Sequence, residues 1–435
     1  MLEVPMHRLS SEYIRPAPRY RTLVWWRSRL ALPSRFTSYA LVGLGSAFSQ
    51  VVAIVGIPIV SHIYSIDQIG RISLSVALVS TLVTATALRF DIAIPVPTDD
   101  LEARTLTRLA LLTALSSSCL IASFVSVLVV IKPTALSLNS PQEALLVGAM
   151  LLGTSTFSIG SFSLLRRHAY RRLFVLMVAN SLIQYGIQIV LGLLGVKRFG
   201  LQIGYALSGM VAGALALRGT LRNYSQPIRS TFVRYKNYPL HSAPAAVLAS
   251  LLTQVPTLFS GIQYGTRVAA LVALTYTGLG SPLAVLSSSV TNTTLAEWGA
   301  GRSRNQADFT QHLRKVALVV FFIASAISIM AFGASRIFAA SLLGKEWKDL
   351  WKTVGILAPP LVFQNVVSPF GVIPELVGQP VASLRRDILR VLAMAFVICI
   401  VIYTGANATH GLLLLASGGI ASSIIYYVFS TAPLR

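Results

Sequence analysis

The stretch that decides the fold is 87–102, ALRFDIAIPVPTDDLE, which follows one long apolar run and begins another at Ile92. A helix that crosses a membrane here carries Arg89 and Asp91 at or near bilayer depth. A charge at the helix centre costs about 2.5–3.5 kcal/mol on insertion scales, so such residues usually face a bundle interior or a watery cavity. Arg89 and Asp91 are therefore the first candidate substrate-binding residues.

A second interpretation of this stretch is that the helix ends near Leu88 and that the Arg89 side chain reaches the membrane surface with its stem still in lipid. Residues 92–96 argue against this, since a solvated loop would waste their apolar surface. Pro95 and Pro97 are a natural stop, because proline lacks an N–H group and the residue before it disfavours helix.

Composition identifies the class of protein. Of 435 residues, 54% are hydrophobic and only 11% are charged, and the mean hydropathy is +0.70, whereas soluble domains carry roughly 25% charged residues. The chain is predicted to be an all-α integral membrane protein, since runs of about 20 apolar residues cross the bilayer as helices. We predict twelve spans, at 40–63, 72–96, 107–131, 143–165, 173–196, 200–217, 242–264, 268–296, 316–340, 353–376, 387–404 and 409–430.

The net charge of +22 follows the topology. With these spans and the N-terminus inside, 26 Lys and Arg residues fall on the cytoplasmic side and 9 outside, and Arg89 completes the 36. This split obeys the positive-inside rule and places both termini in the cytoplasm. Basic residues beside a membrane contact anionic lipid head groups, so no nucleic-acid partner is expected.

The predicted organisation is two groups of six spans. A basic cytoplasmic arm occupies 1–39, an N-terminal lobe 40–218, a polar linker 219–241 and a C-terminal lobe 242–435. The second half begins like the first, because Gln254 lies in the seventh span as Gln50 lies in the first. Two such units are typical of transporters whose binding site lies at the interface between repeats.

Amide side chains are the second set of candidates. Asn180, Gln184 and Gln188 recur every four residues, which places them on one face of the fifth span. An amide stripe in a span either bonds to a neighbouring helix or lines a polar cavity, and the sequence leaves both open. Sugar hydroxyls need such adaptable donors and acceptors, so Gln50, Gln254 and Gln364 join the predicted substrate-binding set.

Other polar features are assigned structural roles. Glycine and proline at 278–282 are predicted to kink the eighth span, and the proline-rich tenth span is predicted to bend. The basic turn 166–172 fixes topology, with any phosphate binding there secondary. The acidic residues at 99–102 are interpreted as a solvated turn, so no metal site is predicted. The eleventh and twelfth spans are predicted to be peripheral.

Three stretches resemble the bacterial polysaccharide-unit flippases of O-antigen, capsule and exopolysaccharide biosynthesis, which share a superfamily with multidrug MATE exporters and the lipid II flippase. They are GSAFSQVVAIVGIPIVSHIYSIDQIG at 45–70, ALRFDIAIPVPTDDLEA at 87–103 and YKNYPLHSAPAAVLASLLTQVPTLFSGIQYG at 235–265, joined later by LLGKEWKDL and FQNVVSPFGVIPELVGQP. The likeness runs from about residue 36 to 385. The Pro359–Pro360 pair and the arginine-rich arm depart from the family pattern.

The resemblance implies a MATE-like pair of six-helix lobes around a central cavity in the bacterial inner membrane. It also implies transport by alternating access of an undecaprenyl-pyrophosphate-linked oligosaccharide from the inner to the outer leaflet. Expected partners are that lipid-linked substrate, membrane lipids and other membrane proteins of polysaccharide assembly, and no cofactor is expected. Arg89 would hold the pyrophosphate, and Asp91 would tune it or couple transport to an ion.

Two alternatives remain. A MATE-type drug or ion antiporter would share the fold and is expected to bind amphipathic cations through acidic cavity residues. A membrane glycosyltransferase or polymerase would need an aqueous catalytic region rich in carboxylates, and no predicted outside loop is long enough to hold one. The chain is therefore predicted not to be an enzyme, with no catalytic residue.

Overall fold

The computed structural model describes residues 34–131, 140–220, 227–299, 306–373 and 380–432. Within these ranges the chain is helical and contains no strand. Most of the predicted basic arm (1–33) and part of the predicted linker (221–226) lie outside the described residues.

Twelve helices among the described residues are long and apolar enough to cross a membrane, and the chain is therefore a multi-pass membrane protein. Large apolar side chains cover the outside of the bundle, as Leu120 at 70% exposure and Phe322 at 68% illustrate. The spans are Ser34–Ile63, Ile66–Thr86, Asp100–Ile131, Pro141–Arg166, Tyr170–Leu193, Gly200–Leu217, Ala243–Tyr264, the interrupted helix Thr266–Thr275 with Ser281–Gly299, Gln306–Leu342, Leu350–Val367, Pro380–Thr404 and Ala408–Thr431.

The second span begins and ends earlier than the predicted 72–96. It begins at Ile66 because Ser65 caps it and exchanges hydrogen bonds with Gln68, the reciprocal pattern of a capping box. It ends at Thr86 because Leu88 and Arg89 have φ of 49° and 60°, in the left-handed region that a helix cannot include. A separate short helix, Phe90–Ala93, follows. The break therefore lies before Arg89 and not at Pro95.

The helices form two six-helix lobes. In the N-terminal lobe the fourth and sixth spans approach closely, because a Cβ atom on Gly209 would lie 2.7 Å from the carbonyl carbon of Gly153. Small residues permit such backbone contact between membrane helices. In the C-terminal lobe a buried cluster forms around Trp347, Leu357 and Leu361, and Ile66 of the other lobe joins it.

The second span connects the lobes by packing on the seventh and eighth spans. A Cβ atom on Gly70 would lie 1.9 Å from the carbonyl oxygen of Thr266, so the two backbones touch there. The backbone N–H of Ile66 donates to Glu346 Oε2 at 3.0 Å, and Arg267 Nη2 donates to the Glu346 carbonyl oxygen at 3.2 Å. The predicted topology places all of these contacts at the outer end of the bundle.

The eighth and tenth spans both contain proline and glycine, and their helices differ in continuity. The eighth span is interrupted by a π-helical turn at Tyr276–Gly280, where the glycines and Pro282 predict a kink. The tenth helix runs through Pro359 and Pro360 as far as Val367, and a 3₁₀ turn follows at Ser368–Val372. That this helix bends as the protein changes state stays a prediction. Proline is tolerated in membrane helices when neighbours satisfy the freed backbone groups.

Candidate functional site

A cavity of about 640 Å³ lies between the two lobes. Its walls come from the first, second, fifth and sixth spans on one side and from the seventh, eighth and tenth spans on the other. Trp347, which is 1% exposed, contributes to the wall from the turn before the tenth span. The volume lies within the usual range of ligand pockets, about 300–1,000 Å³. A cavity shared by both lobes is suited to a substrate that moves as the lobes move.

The wall of this central cavity combines apolar side chains with polar groups that carry no charge. No Asp, Glu, Lys, Arg or His occurs among the described residues that line it. Instead it presents amides and hydroxyl groups. The amides are Gln50, Gln184, Gln188, Gln254, Gln364 and Asn365. The hydroxyl-bearing residues are Ser49, Ser73, Ser80, Ser181, Ser281, Thr253, Thr257, Thr277, Tyr185, Tyr205 and Tyr276.

The amide stripe of the fifth span is divided between the cavity and helix packing. Gln184 lines the cavity. Gln188 also lines it, but this residue is only 4% exposed and its Nε2 donates to the Leu201 carbonyl oxygen at 2.9 Å, which joins the fifth and sixth spans. Asn180 does not line the cavity, and its Oδ1 is buried without a hydrogen-bond partner among the described residues. Gln184 therefore fits the cavity interpretation, and Gln188 fits both the cavity and the helix-packing interpretation.

Amides from three other spans meet those of the fifth. Gln50 lies beside Ser49, whose hydroxyl donates to the Met177 carbonyl oxygen at 3.0 Å and so joins the first and fifth spans. Gln254 and Gln364 face them from the C-terminal lobe. The structure thus brings five of the six predicted amides to one cavity. It adds Asn365, which was not among the predicted residues and whose Nδ2 donates to the Leu361 carbonyl oxygen at 2.8 Å.

Arg89 and Asp91 lie apart from this wall. The second span lines the cavity only as far as Ser80, and about 9 Å of helix separates Ser80 from the span's end at Thr86. Arg89 follows that end, on the cytoplasmic side in the predicted topology, and its buried Nε has no hydrogen-bond partner among the described residues.

Asp91 is 8% exposed and bonds to the fourth span. Its Oδ2 accepts from the Ser158 hydroxyl at 2.9 Å, and its buried Oδ1 has no partner among the described residues. No ion pair joins Asp91 to Arg89 within the part of the chain that the structure describes. Both residues thus retain an unsatisfied polar atom in buried surroundings, where such an atom is costly.

A buried cationic cluster in the eleventh and twelfth spans escaped the sequence analysis, which placed the eleventh span at 387–404 and judged it peripheral. Arg386 is 6% exposed, and its guanidinium carbon lies 4.2 Å from the ring centre of Tyr426. Arg390 stacks on the same ring, donates to Ser422 and pairs with Asp387 at 3.3 Å. The signal in the sequence is the pair of arginines four residues apart at the start of an apolar helix.

Arg390 also approaches the central cavity. It shares a small void of about 30 Å³ with Gln364 and Tyr276, both of which line the cavity as well. The C-terminal lobe therefore holds a cation one side chain removed from the cavity wall.

Several solved structures of membrane transport proteins resemble this chain in fold. The chain resembles a structure of the lipid II flippase MurJ in an inward closed conformation, with a TM-score of 0.70 and 13% identity over 90% of this chain and 87% of that one. It also resembles an inward-facing multidrug resistance MATE family transporter of the MOP superfamily, with a TM-score of 0.59 and 19% identity over 90% and 94% of the two chains.

A third similar structure is a MOP superfamily transporter from Pyrococcus furiosus, with a TM-score of 0.55 and 16% identity over 91% of this chain and 95% of that one. No protein-family model and no curated protein sequence matches the chain. The chain accordingly has the MATE-like fold of two six-helix lobes that the sequence resemblance predicted.

Proposed function

We propose that this protein is a flippase that moves an undecaprenyl-pyrophosphate-linked oligosaccharide from the inner to the outer leaflet of a bacterial cytoplasmic membrane, by alternating access of the central cavity. The cavity would hold the sugars while the lipid tail stays in the bilayer. The likeness in fold to a lipid II flippase and to a multidrug transporter supports a transport function. The fold does not identify the substrate, which has to be inferred from the residues of the site.

The observation that carries the proposal is the uncharged, amide-rich wall of the central cavity. Each glutamine offers two N–H donors and a carbonyl acceptor, and each hydroxyl can donate and accept. Amides from both lobes, such as Gln184 and Gln254, can therefore bond to hydroxyl groups on opposite sides of a glycan. When the lobes move, the glycan can exchange these hydrogen bonds one at a time, and no buried charge is left without a partner.

The same observation disfavours a MATE-type antiporter of cationic drugs. An antiporter of cationic drugs is expected to pair its substrate with an acidic cavity residue, because a desolvated cation needs a counter-charge. The described residues of the cavity wall include aromatic rings, which can contact a cation, but no carboxylate. Asp91, the buried acid nearest in sequence to the wall, bonds to Ser158 outside it.

The pyrophosphate needs a cation, and Arg89 supplies it in this proposal. Its planar guanidinium matches phosphate oxygens and stays charged in any cavity. A position beyond the cytoplasmic end of the second span suits a pyrophosphate that lies at the head-group level while its sugars occupy the cavity. Arg390, beside Gln364 and in the cytoplasmic half of its span in the predicted topology, is a second candidate cation for the same pyrophosphate.

Reconstitution tests this proposal. Purified protein in vesicles that contain a lipid-linked oligosaccharide should speed the appearance of the sugar at the outer leaflet, where a membrane-impermeant glycosidase detects it. Parallel vesicles loaded with an amphipathic cation should show no efflux above protein-free vesicles. Efflux of the cation without movement of the oligosaccharide would favour the antiporter instead.

A further inference from the structure

A second cavity, of about 440 Å³, lies within the N-terminal lobe and shares no lining residue with the central cavity. We call it the basic pocket. Three segments enclose it. The start of the third span contributes Asp100 and Arg104, and the turn after the sixth span contributes Thr220. The end of the fourth span and the turn after it contribute Arg166, Arg167 and His168. The predicted topology places all three segments at the cytoplasmic surface, so the pocket opens where the inner leaflet meets the cytoplasm.

Arg166 holds part of the wall of the basic pocket together. Arg166 donates to Asp100 Oδ1 at 2.9 Å, to the Thr98 carbonyl oxygen at 3.4 Å and also to the Pro97 carbonyl oxygen. These bonds tie the loop between the second and third spans to the end of the fourth span. The Arg166–Asp100 pair is internally neutral and holds the wall in place.

The remaining wall is cationic. Arg104 and Arg167 face the basic pocket in addition to the neutral pair, and His168 adds a ring nitrogen. Partial burial, followed by the nearby charges of Arg104 and Arg172, lowers the pKa of the Arg167 guanidinium below its usual range, and the Asp100 carboxylate opposes this shift only in part. Charges that repel one another in this way are stabilised when an anion lies between them.

Neutral donors complete the wall. The Thr220 hydroxyl is 3.5 Å from that of Ser163, and both residues line the basic pocket. Arginine forks together with hydroxyl donors are the usual means of binding phosphate oxygens, and basic pockets between membrane helices on the cytoplasmic side bind lipid head groups.

We propose that the basic pocket is a binding site for a phosphate-bearing anion at the cytoplasmic surface, held by Arg104 and Arg167. The ligand is either the head group of an anionic lipid or a soluble phosphate. Ile94, which follows the short helix carrying Asp91, lines the same pocket, so an occupied pocket would brace the segment after Arg89. The site is separate from the glycan cavity and does not depend on the transported substrate.

Binding measurements on the full chain test this inference. In the first experiment, native mass spectrometry in mixed micelles compares the retention of phosphatidylglycerol by the protein with that of phosphatidylcholine. In the second, the protein in neutral detergent is titrated with inorganic phosphate and binding is measured. Retention of phosphatidylglycerol alone identifies a lipid head group, and saturable binding of phosphate identifies a soluble ligand. Either result supports the site if it depends on Arg167. Failure of both probes to bind would overturn the proposal.

Matched variants locate the site. Arg167→Gln should weaken binding at least about tenfold, since bonds to charged groups are strong, whereas Arg171→Gln should leave it unchanged, because Arg171 is exposed in the same turn but does not line the pocket. Equal affinities of the two variants would contradict the assignment.

A measurement on the unaltered protein covers the case in which Arg167→Gln does not fold. The bound probe should slow hydrogen exchange in peptides spanning 100–108 and 163–170 and leave peptides of the central cavity unchanged. Protection of the cavity peptides alone would also overturn the inference.

Discussion

The Asp67 carboxylate accepts a hydrogen bond of 2.7 Å from the Thr266 hydroxyl, although 199 residues separate the two in the chain. Each residue lies in the first turn of its helix, Asp67 in the second span and Thr266 in the eighth, so the bond joins the two lobes. Together with the Glu346 contacts, it closes the end of the central cavity that the predicted topology places outside. In the predicted topology, these contacts correspond to a state that is closed to the outside.

Gly70 tests this assignment. Alanine at Gly70 would place its Cβ 1.9 Å from the Thr266 carbonyl oxygen, a backbone atom that cannot move aside alone, so the outer ends of the lobes must separate. We expect Gly70→Ala to increase labelling of a cysteine at Gln254 by a membrane-impermeant reagent added outside. Gly186→Ala is the control, since nothing lies within 4 Å of its Cβ. Equal labelling in the two variants would show that the lobes do not open there.

Cysteine scanning tests the division of the amide stripe. We expect a cysteine at Gln184 to react with small hydrophilic thiol reagents and a cysteine at Asn180 to be protected, because only the former residue lines the central cavity. Cys119 and Cys399, both exposed on the protein surface, are first replaced by alanine. Reaction at Asn180 as fast as at Gln184 would mean that water reaches that whole face of the helix.

Substitutions at Arg89 can separate the effect of its charge from the effect of its left-handed backbone conformation. Arg89→Gly removes the guanidinium while suiting the left-handed φ of 60°, a conformation that costs a non-glycine residue about 1–3 kcal/mol. We expect normal membrane insertion and loss of glycan transport, and only partial transport from Arg89→Lys. Leu88→Gly, at φ 49°, is the matched control and should transport normally. Full transport by Arg89→Gly would make Arg89 a boundary residue that only reaches the membrane surface.

Asp91 is the candidate for ion coupling. If it carries a proton, dissipating the pH gradient across reconstituted vesicles should slow transport by the wild type and leave Asp91→Asn unaffected, because an amide cannot release a proton at physiological pH. Ser158→Ala, which removes the hydrogen-bond donor to Asp91 Oδ2 and keeps the carboxylate, should remain sensitive to the gradient. A wild-type rate that does not depend on the gradient would exclude this role.

Much of the fold could be predicted from the sequence, because twelve apolar runs of membrane length admit few architectures. The end of the second span at Thr86 agrees with the alternative of a helix that ends near Leu88 and not with the preferred span 72–96. The sequence did not decide between them, since the break arises from positive φ at Leu88 and Arg89, residues whose types do not favour that conformation. The start of that span was predictable in principle, because Ser65 and Gln68 form the Ser-x-x-Gln pattern of a capping box.

The candidate site was predicted in part. A glutamine at bilayer depth needs a hydrogen-bond partner or water, so glutamines in apolar spans can be identified as candidates from the sequence. For the same reason they converge on one cavity, which Gln50, Gln184, Gln254 and Gln364 line. The position of Arg89 relative to that cavity depends on where the helix ends. The roles of Asn180 and Arg390 depend on which neighbouring helix each one faces, and helical spacing within one span does not determine that.

Photocrosslinking tests the central claim most directly. A lipid-linked oligosaccharide with a photoreactive group on a sugar is mixed with the reconstituted protein, irradiated, and the labelled peptides are identified by mass spectrometry. We predict labels on peptides from both lobes that contain Gln184, Gln254 and Gln364, and loss of those labels when excess unlabelled oligosaccharide lipid competes. Labels confined to lipid-facing peptides, in a preparation that still transports the glycan, would contradict the account.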